Sequence, residues 1–270
     1  MQYLVVARDG KVRRRVDVAL PHKPMIHDCG LTKNWFLVLD FPCVFDERAL
    51  EEGLMMPYRW HPELGARVGL LPREGEASQI VWCEVDPCYV FHPMNAYDDA
   101  DGKVVLDVVR HPTMFDADTH GPNEGPPVLE RWHLDPKGGA IATERVDDRA
   151  QEFPRIDDRL ATKPYRYGYA AATDSGFVAR ALLKHDMAHG TTEVHEEGAH
   201  RTFFEPVFVP AHEGAGEDEG YVMAYVHDAE RGRADVVILH AQDFAAPPIA
   251  TIELPARVPY GFHGNWVADD

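Results

Sequence analysis

The chain has no long apolar run. Nothing in its 270 residues approaches the ~18 consecutive apolar positions that a membrane-spanning helix needs. The N-terminus shows no secretory apolar region or cleavage site, and Cys29, Cys43, Cys83 and Cys88 form no CxxC pair. A soluble, cytoplasmic chain with reduced thiols is expected. Basic residues are scarce, 27 against 45 acidic ones, which leaves a net charge of −18. That balance argues against nucleic acid as a partner, because phosphate affinity comes mostly from Lys and Arg. The run Arg13-Arg14-Arg15 sits in an alternating segment and reads as a solvated strand face. No GxSxG elbow supports a hydrolase.

Helical periodicity is nearly absent as well. Apolar and polar residues instead alternate over five to eight positions and break at polar turns, the pattern of strands. Residues 2–7 and 12–20 flank Asp9-Gly10 as a hairpin, and residues 90–97 pair with 103–109 across Asp101-Gly102. Further strands are expected at 34–40, 78–85, 129–134, 140–146, 221–227 and 234–240. Twenty-one Gly and 21 Pro supply the turns. Successive hairpins without a long helix predict an all-β fold, a barrel, sandwich or propeller, as a single domain over 1–270. No repeat selects among the three.

Fifteen histidines are a high count, and three have distinctive neighbours. His27 stands where apolar Met25-Ile26 meets a polar turn. His92 lies inside the apolar strand Tyr89–Ala96. His263 is flanked by Gly261 and Gly264, which let the backbone approach something closely. Their separations are far from the short spacing of a zinc finger or an HExxH helix. Ligands drawn from separate strands of an all-β scaffold would have such spacing, but so would ordinary core or turn histidines. His185 and His189 read as parts of a turn, His195 and His200 as members of a glutamate-rich stretch. His61, His111, His120 and His212 read as loop residues.

Five motifs in collinear order resemble the carotenoid cleavage oxygenases. They are Met25-Ile26-His27-Asp28 with Leu31-Thr32, then Phe91-His92 with Asn95-Ala96-Tyr97, then Glu152-Phe153-Pro154-Arg155-Ile156-Asp157, then Glu205-Pro206-Val207-Phe208-Val209-Pro210, and finally Arg257 through Trp266. The resemblance implies a seven-bladed β-propeller with non-haem Fe(II) on its axis, held by four histidines. It implies that His27, His92 and His263 are metal ligands and that Glu152 and Glu205 accept hydrogen bonds from ligand imidazoles. Imidazole suits iron, and a carboxylate on the far ring nitrogen fixes the tautomer.

The family's first histidine lies upstream of the His27 motif. Here only His22 precedes His27, in Pro21-His22-Lys23-Pro24, without the expected surroundings. The resemblance therefore covers the C-terminal part of the fold, four or five blades' worth of strands without the N-terminal blades. The implied reaction is Fe(II)-dependent cleavage, with O2, of a C=C bond in a hydrophobic conjugated substrate, giving two carbonyl products. A carotenoid or apocarotenoid is the expected substrate, collected through peripheral contact with a membrane. The alternatives are a lignostilbene-type stilbene dioxygenase and a non-catalytic remnant lacking one iron ligand.

Overall fold

Asp-Gly turns and β-branched alternation dictate the local structure. Gly10 and Gly102 adopt φ of +79° and +77°, the left-handed conformation that closes a tight hairpin. In the computed structural model, which describes residues 1–119, 121–122, 124–174, 178–259 and 261–268, strands dominate. Gln2–Val6 and Val12–Asp17 form the expected first hairpin. Four antiparallel meanders follow, arranged as propeller blades.

The first blade runs Gly30–Leu31, Trp35–Asp40, Ala66–Pro72 and Val81–Val85. The second runs Tyr89–Asp98, Val104–His111, Val128–Leu134 and Ala142–Asp147. The third runs Gln151–Ile156, Tyr167–Thr173, Ala179–Asp186 and Thr191–Glu196. In the fourth, Arg201–Phe203 and Val207–Pro210 both pair with Gly220–Asp228, followed by Arg233–His240 and Ala250–Glu253.

Two strand expectations need correcting. Residues 77–79 form a 3-10 turn before the strand at Val81–Val85. Gly139–Ala140 leave the second blade to pair in parallel with Cys83 and Glu84 of the first. The third blade escaped the sequence reading altogether. Its central strands, Tyr-Gly-Tyr-Ala-Ala-Ala-Thr and Ala-Arg-Ala-Leu-Leu-Lys-His-Asp, are covered on both faces and lack clean alternation.

Apolar cores fill the spaces between successive blades. Leu39, Leu70, Tyr89, Leu106 and Trp132 pack between the first and second. Met94, Val109, Leu129 and Ile156 pack between the second and third, and Tyr169, Leu182, Val222 and Val237 between the third and fourth. The period-two rule divides Val104–His111 accordingly: Leu106 and Val108 belong to the first interface, Val109 to the next. Gly168 permits a close approach there, since a Cβ would meet Met94 Sδ at 2.3 Å.

His185 belongs to the strand Ala179–Asp186, not to the turn expected from sequence, and is buried. Its ring bonds Thr192 Oγ1 at 3.0 Å and Gln151 Oε1 at 2.8 Å. Burial pushes its pKa down to about 4, so it folds as the neutral imidazole. The unfolded chain binds this proton near the ordinary value of 6.5. Between these values the unfolded state holds more protons, so stability falls as pH drops from about 6.5 to about 4. The expected loss from this group is up to about 3 kcal/mol. Denaturant titrations across that range should show a shallower pH dependence for His185→Gln; parallel curves would contradict the assignment.

Candidate metal centre

The first strand of each blade, or the turn leading into it, lies nearest its counterpart in the next blade. Chemistry-bearing residues collect along that line. His27 precedes Gly30–Leu31, His92 lies within Tyr89–Asp98, Glu152 is the second residue of Gln151–Ile156, and Glu205 stands two residues before Val207–Pro210. His263 comes from the C-terminal segment. The segment holding His27 is irregular, not the expected strand end.

Two bulges aim the side chains. Tyr89–Asp98 carries two extra residues between Val90 and Asn95 relative to its partner, around His92-Pro93. Gln151–Ile156 carries one extra residue between Glu152 and Arg155, around Phe153-Pro154. Proline cannot donate to a ladder, and the register shifts on both sides of Pro93 and across Phe153-Pro154, where the strand turns a side chain. Phe153 adopts φ +56°, which costs an aromatic residue about 1–3 kcal/mol. This conformation places its N–H 2.6 Å from Glu152 Oε2.

The three sequence-selected histidines meet. One ring nitrogen from each of His27, His92 and His263 lies within 4.8 Å of the others. The His27 and His92 rings stand edge to face at 5.0 Å, as do those of His92 and His263 at 4.9 Å. His92 is largely buried, whereas His27 and His263 are exposed. His22 is exposed and outside the group.

Carboxylates orient two of the rings. Glu152, fully buried, accepts from His92 Nδ1 at 2.6 Å, and Glu205 accepts from His263 Nδ1 at 3.1 Å. With Nδ1–H committed, Nε2 of each ring carries the lone pair. His92 Nε2 is buried and has no hydrogen-bond partner among the described residues. An orphaned buried acceptor is costly unless something occupies it. Three convergent imidazoles, two with carboxylates behind them, suit a divalent transition metal such as iron.

Burial and neighbouring charges act in opposite directions on the members of the cluster. Partial burial, then the neighbouring His92, push His27 below the ordinary histidine value. Burial alone would raise Glu152, but hydrogen bonds from His111 and His92 hold it down at about 2. Burial likewise opposes protonation of His92, and the Glu152 contact outweighs it to raise the pKa.

Sequence reasoning missed one member of this frame. His111, expected in a loop, ends the strand Val104–His111, is buried, and has Nε2 2.8 Å from Glu152 Oε1. Its signal was parity: it shares a strand face with Asp107 and Val109, toward the third blade. The remaining histidines stay apart. His195 is buried against Phe203 and Phe244, and His189 bonds Asp186 in an exposed turn. His120, and Tyr260 of the last motif, lie outside the described residues.

A strand-rich scaffold of propeller-like blades that gathers three histidines, two of them backed by buried carboxylates, is the arrangement of an oxygenase family. The chain belongs to the carotenoid cleavage oxygenase family: residues 1–268 match the family model described as retinal pigment epithelial membrane protein. It is 35% identical to a carotenoid cleavage oxygenase of Mycobacterium tuberculosis, over 98% of this chain and 62% of that protein. The lignostilbene dioxygenase of Pseudomonas brassicacearum superposes with a TM-score of 0.90 at 28% identity, over 99% of this chain and 60% of that one. The cobalt-substituted apocarotenoid oxygenase of Synechocystis gives 0.88 at 30%, over 98% and 58%. The chain thus spans about three fifths of the length of these relatives.

Proposed function

We propose that His27, His92 and His263 are ligands of a non-haem Fe(II), oriented by Glu152 and Glu205. In this reading the chain carries most of the centre of a dioxygenase that cleaves a C=C bond of a carotenoid or apocarotenoid. The convergence of three ring nitrogens within 4.8 Å, with a buried unpartnered Nε2 on His92, carries the reading. Bound iron would supply O2 activation, and the balance is one C=C bond plus O2 giving two carbonyl groups, with no external reductant.

The chain's own residues do the positioning. Glu152 holds the His92 Nδ1–H and Glu205 the His263 Nδ1–H, so both Nε2 lone pairs point inward as neutral ligands. Phe91 packs edge-on against His27 at 5.1 Å, and Phe153 lies beside His92 and His263. These ring contacts restrict rotation of the imidazoles. An apolar cavity of about 320 Å³, lined by Val207, Met223, Phe262 and Trp266, adjoins His263 and suits a hydrophobic ligand.

A cytoplasmic location is part of this proposal, and no helix among the described residues is long and apolar enough to cross a membrane. Exposed Leu50, Met55 and Met56 support a peripheral contact through which a greasy substrate is collected. A second reading, a metal-holding scaffold without activity of its own, is favoured by the exposure of His27 and His263.

Loading the chain anaerobically with Fe(II) and dialysing it tests the centre. Near one iron per chain is expected, falling to background in His92→Ala; background iron in the wild type would end the proposal. The loaded chain is then offered an apocarotenal and a stilbene under O2. Loss of the polyene absorbance with aldehyde formation supports the first reading. Stilbene cleavage alone selects a lignostilbene-type activity, and iron without either product selects the scaffold.

A further inference from the structure

Neither His27 nor His263 lies in a strand, but His27 stands three residues before Gly30–Leu31, whereas His263 lies ten residues past Glu253, where the last strand among the described residues ends. Residues 261–268 have no regular secondary structure, and the side chains of Phe262, Trp266 and Val267 are exposed. Something must hold this segment if His263 is to stand 4.9 Å from His92. Among the described residues, the hydrogen bonds that tie 261–268 to the rest of the chain run to Glu205 and Arg155. Glu205 accepts from His263 Nδ1 at 3.1 Å and from the Gly264 N–H at 2.8 Å. Arg155 donates Nη1 to the Gly264 carbonyl at 3.0 Å and Nη2 to Asn265 Oδ1 at 3.2 Å. The same Nη1 lies 3.1 Å from Glu205 Oε2, and Nη2 lies 3.7 Å from Asp158.

We propose that Arg155 is a positioning residue that docks the C-terminal segment and thereby delivers His263 to the candidate metal centre. The inference rests on the reading of His263 as a ligand. Arg155 sits just past the bulge at Phe153-Pro154 on a packed strand, so its anchor is rigid. Its planar fork reaches a backbone carbonyl, a side-chain amide and a carboxylate together, which a lysine's point charge cannot do. One guanidinium thus clamps both the segment and the glutamate that orients His263.

Charge and docking predict opposite signs, which makes the role separable. A guanidinium beside a dication repels it, so on charge alone Arg155→Gln tightens metal binding. If Arg155 docks the segment, the substitution loosens His263 and weakens binding.

The test uses the full chain, wild type and Arg155→Gln, with two readouts. Hydrogen exchange of the metal-free proteins is expected to show at least tenfold faster exchange within 261–268 at the Gly264 amide, whose N–H Glu205 accepts, with protection elsewhere unchanged. Titration with Co(II) is expected to show about tenfold weaker binding, with Arg155→Lys recovering only part of it. In a His263→Ala background Arg155→Gln should have no further effect. Unchanged exchange at the Gly264 amide would overturn the inference whatever the metal does, as would tighter Co(II) binding or an equal loss in the His263→Ala background. A wild-type chain that binds no Co(II) defeats the metal-centre reading instead, and leaves docking to be decided by exchange alone. If Arg155→Gln does not fold, Asn265→Ala removes one acceptor of the fork, and its smaller exchange increase at the same amide replaces it.

Discussion

Glu152→Gln is expected to weaken metal binding by about 10- to 100-fold while the chain stays folded. The reason is a count of donors and acceptors. The carboxylate accepts from His92 through Oε2 and from His111 through Oε1, at 2.6 and 2.8 Å, and also from the Phe153 N–H. A glutamine offers one oxygen acceptor and one NH2 donor in the same place. Whichever histidine faces the NH2 must present a bare nitrogen to it and carry its proton on the other side. If that ring is His92, its Nε2 becomes N–H and can no longer ligate. Glu152→Ala removes both acceptors and takes this partner from His92 Nδ1 and from His111 Nε2, at about 1–3 kcal/mol each. Co(II) titration and denaturant unfolding of the two variants check this. Affinity within twofold of wild type for Glu152→Gln would remove Glu152 from the site.

Asp107→Ala is expected to cost about 3–5 kcal/mol of stability and to leave metal affinity nearly unchanged. Asp107 is fully buried on the central strand of the second blade. It receives Arg131 Nε and Nη2 at 2.8 and 2.9 Å and the Tyr165 hydroxyl at 2.6 Å. Tyr165 stands between the first two strands of the third blade, so this carboxylate joins two blades across their interface. Burial, then the charge of Asp107, keep the Tyr165 hydroxyl protonated and donating. Alanine would strand a guanidinium and a hydroxyl in the packed region beside Val109 and Ile156. For a chain of this size the loss corresponds to a fall in Tm of roughly 6–20 °C. The apolar pair Asp107→Leu with Arg131→Met should recover most of it, because the penalty comes from the unpaired charge. A loss below about 1 kcal/mol for Asp107→Ala would show that the interface does not depend on this network.

Much of this architecture follows from residue order. Hairpins at Asp9-Gly10 and Asp101-Gly102, and the pairs ending near residues 97, 134, 227 and 240, stand close to where alternation and turn chemistry put them. Those are local properties, set by φ preferences and a period of two. The third blade shows their limit: its central strands are covered on both faces, and continuous burial erases alternation. His111 shows another limit. The strand 104–111 extends two residues beyond its apparent end, and the buried His111 ring finds an acceptor in Glu152 of a different blade.

The sequence alone determined the strand-rich class, the acidic surface and the collinear motifs that single out His27, His92, His263, Glu152 and Glu205. Their types suit a metal, and their order resembles one family. Only the tertiary structure decided that three histidines, separated by up to 236 positions, bring their nitrogens within 4.8 Å. It also decided that Glu152 serves two rings and that Arg155 clamps the segment carrying His263. Such contacts join blades that are distant in the chain. They depend on how each bulge turns a side chain and on how the blades pack, and neither is encoded in any single stretch of residues.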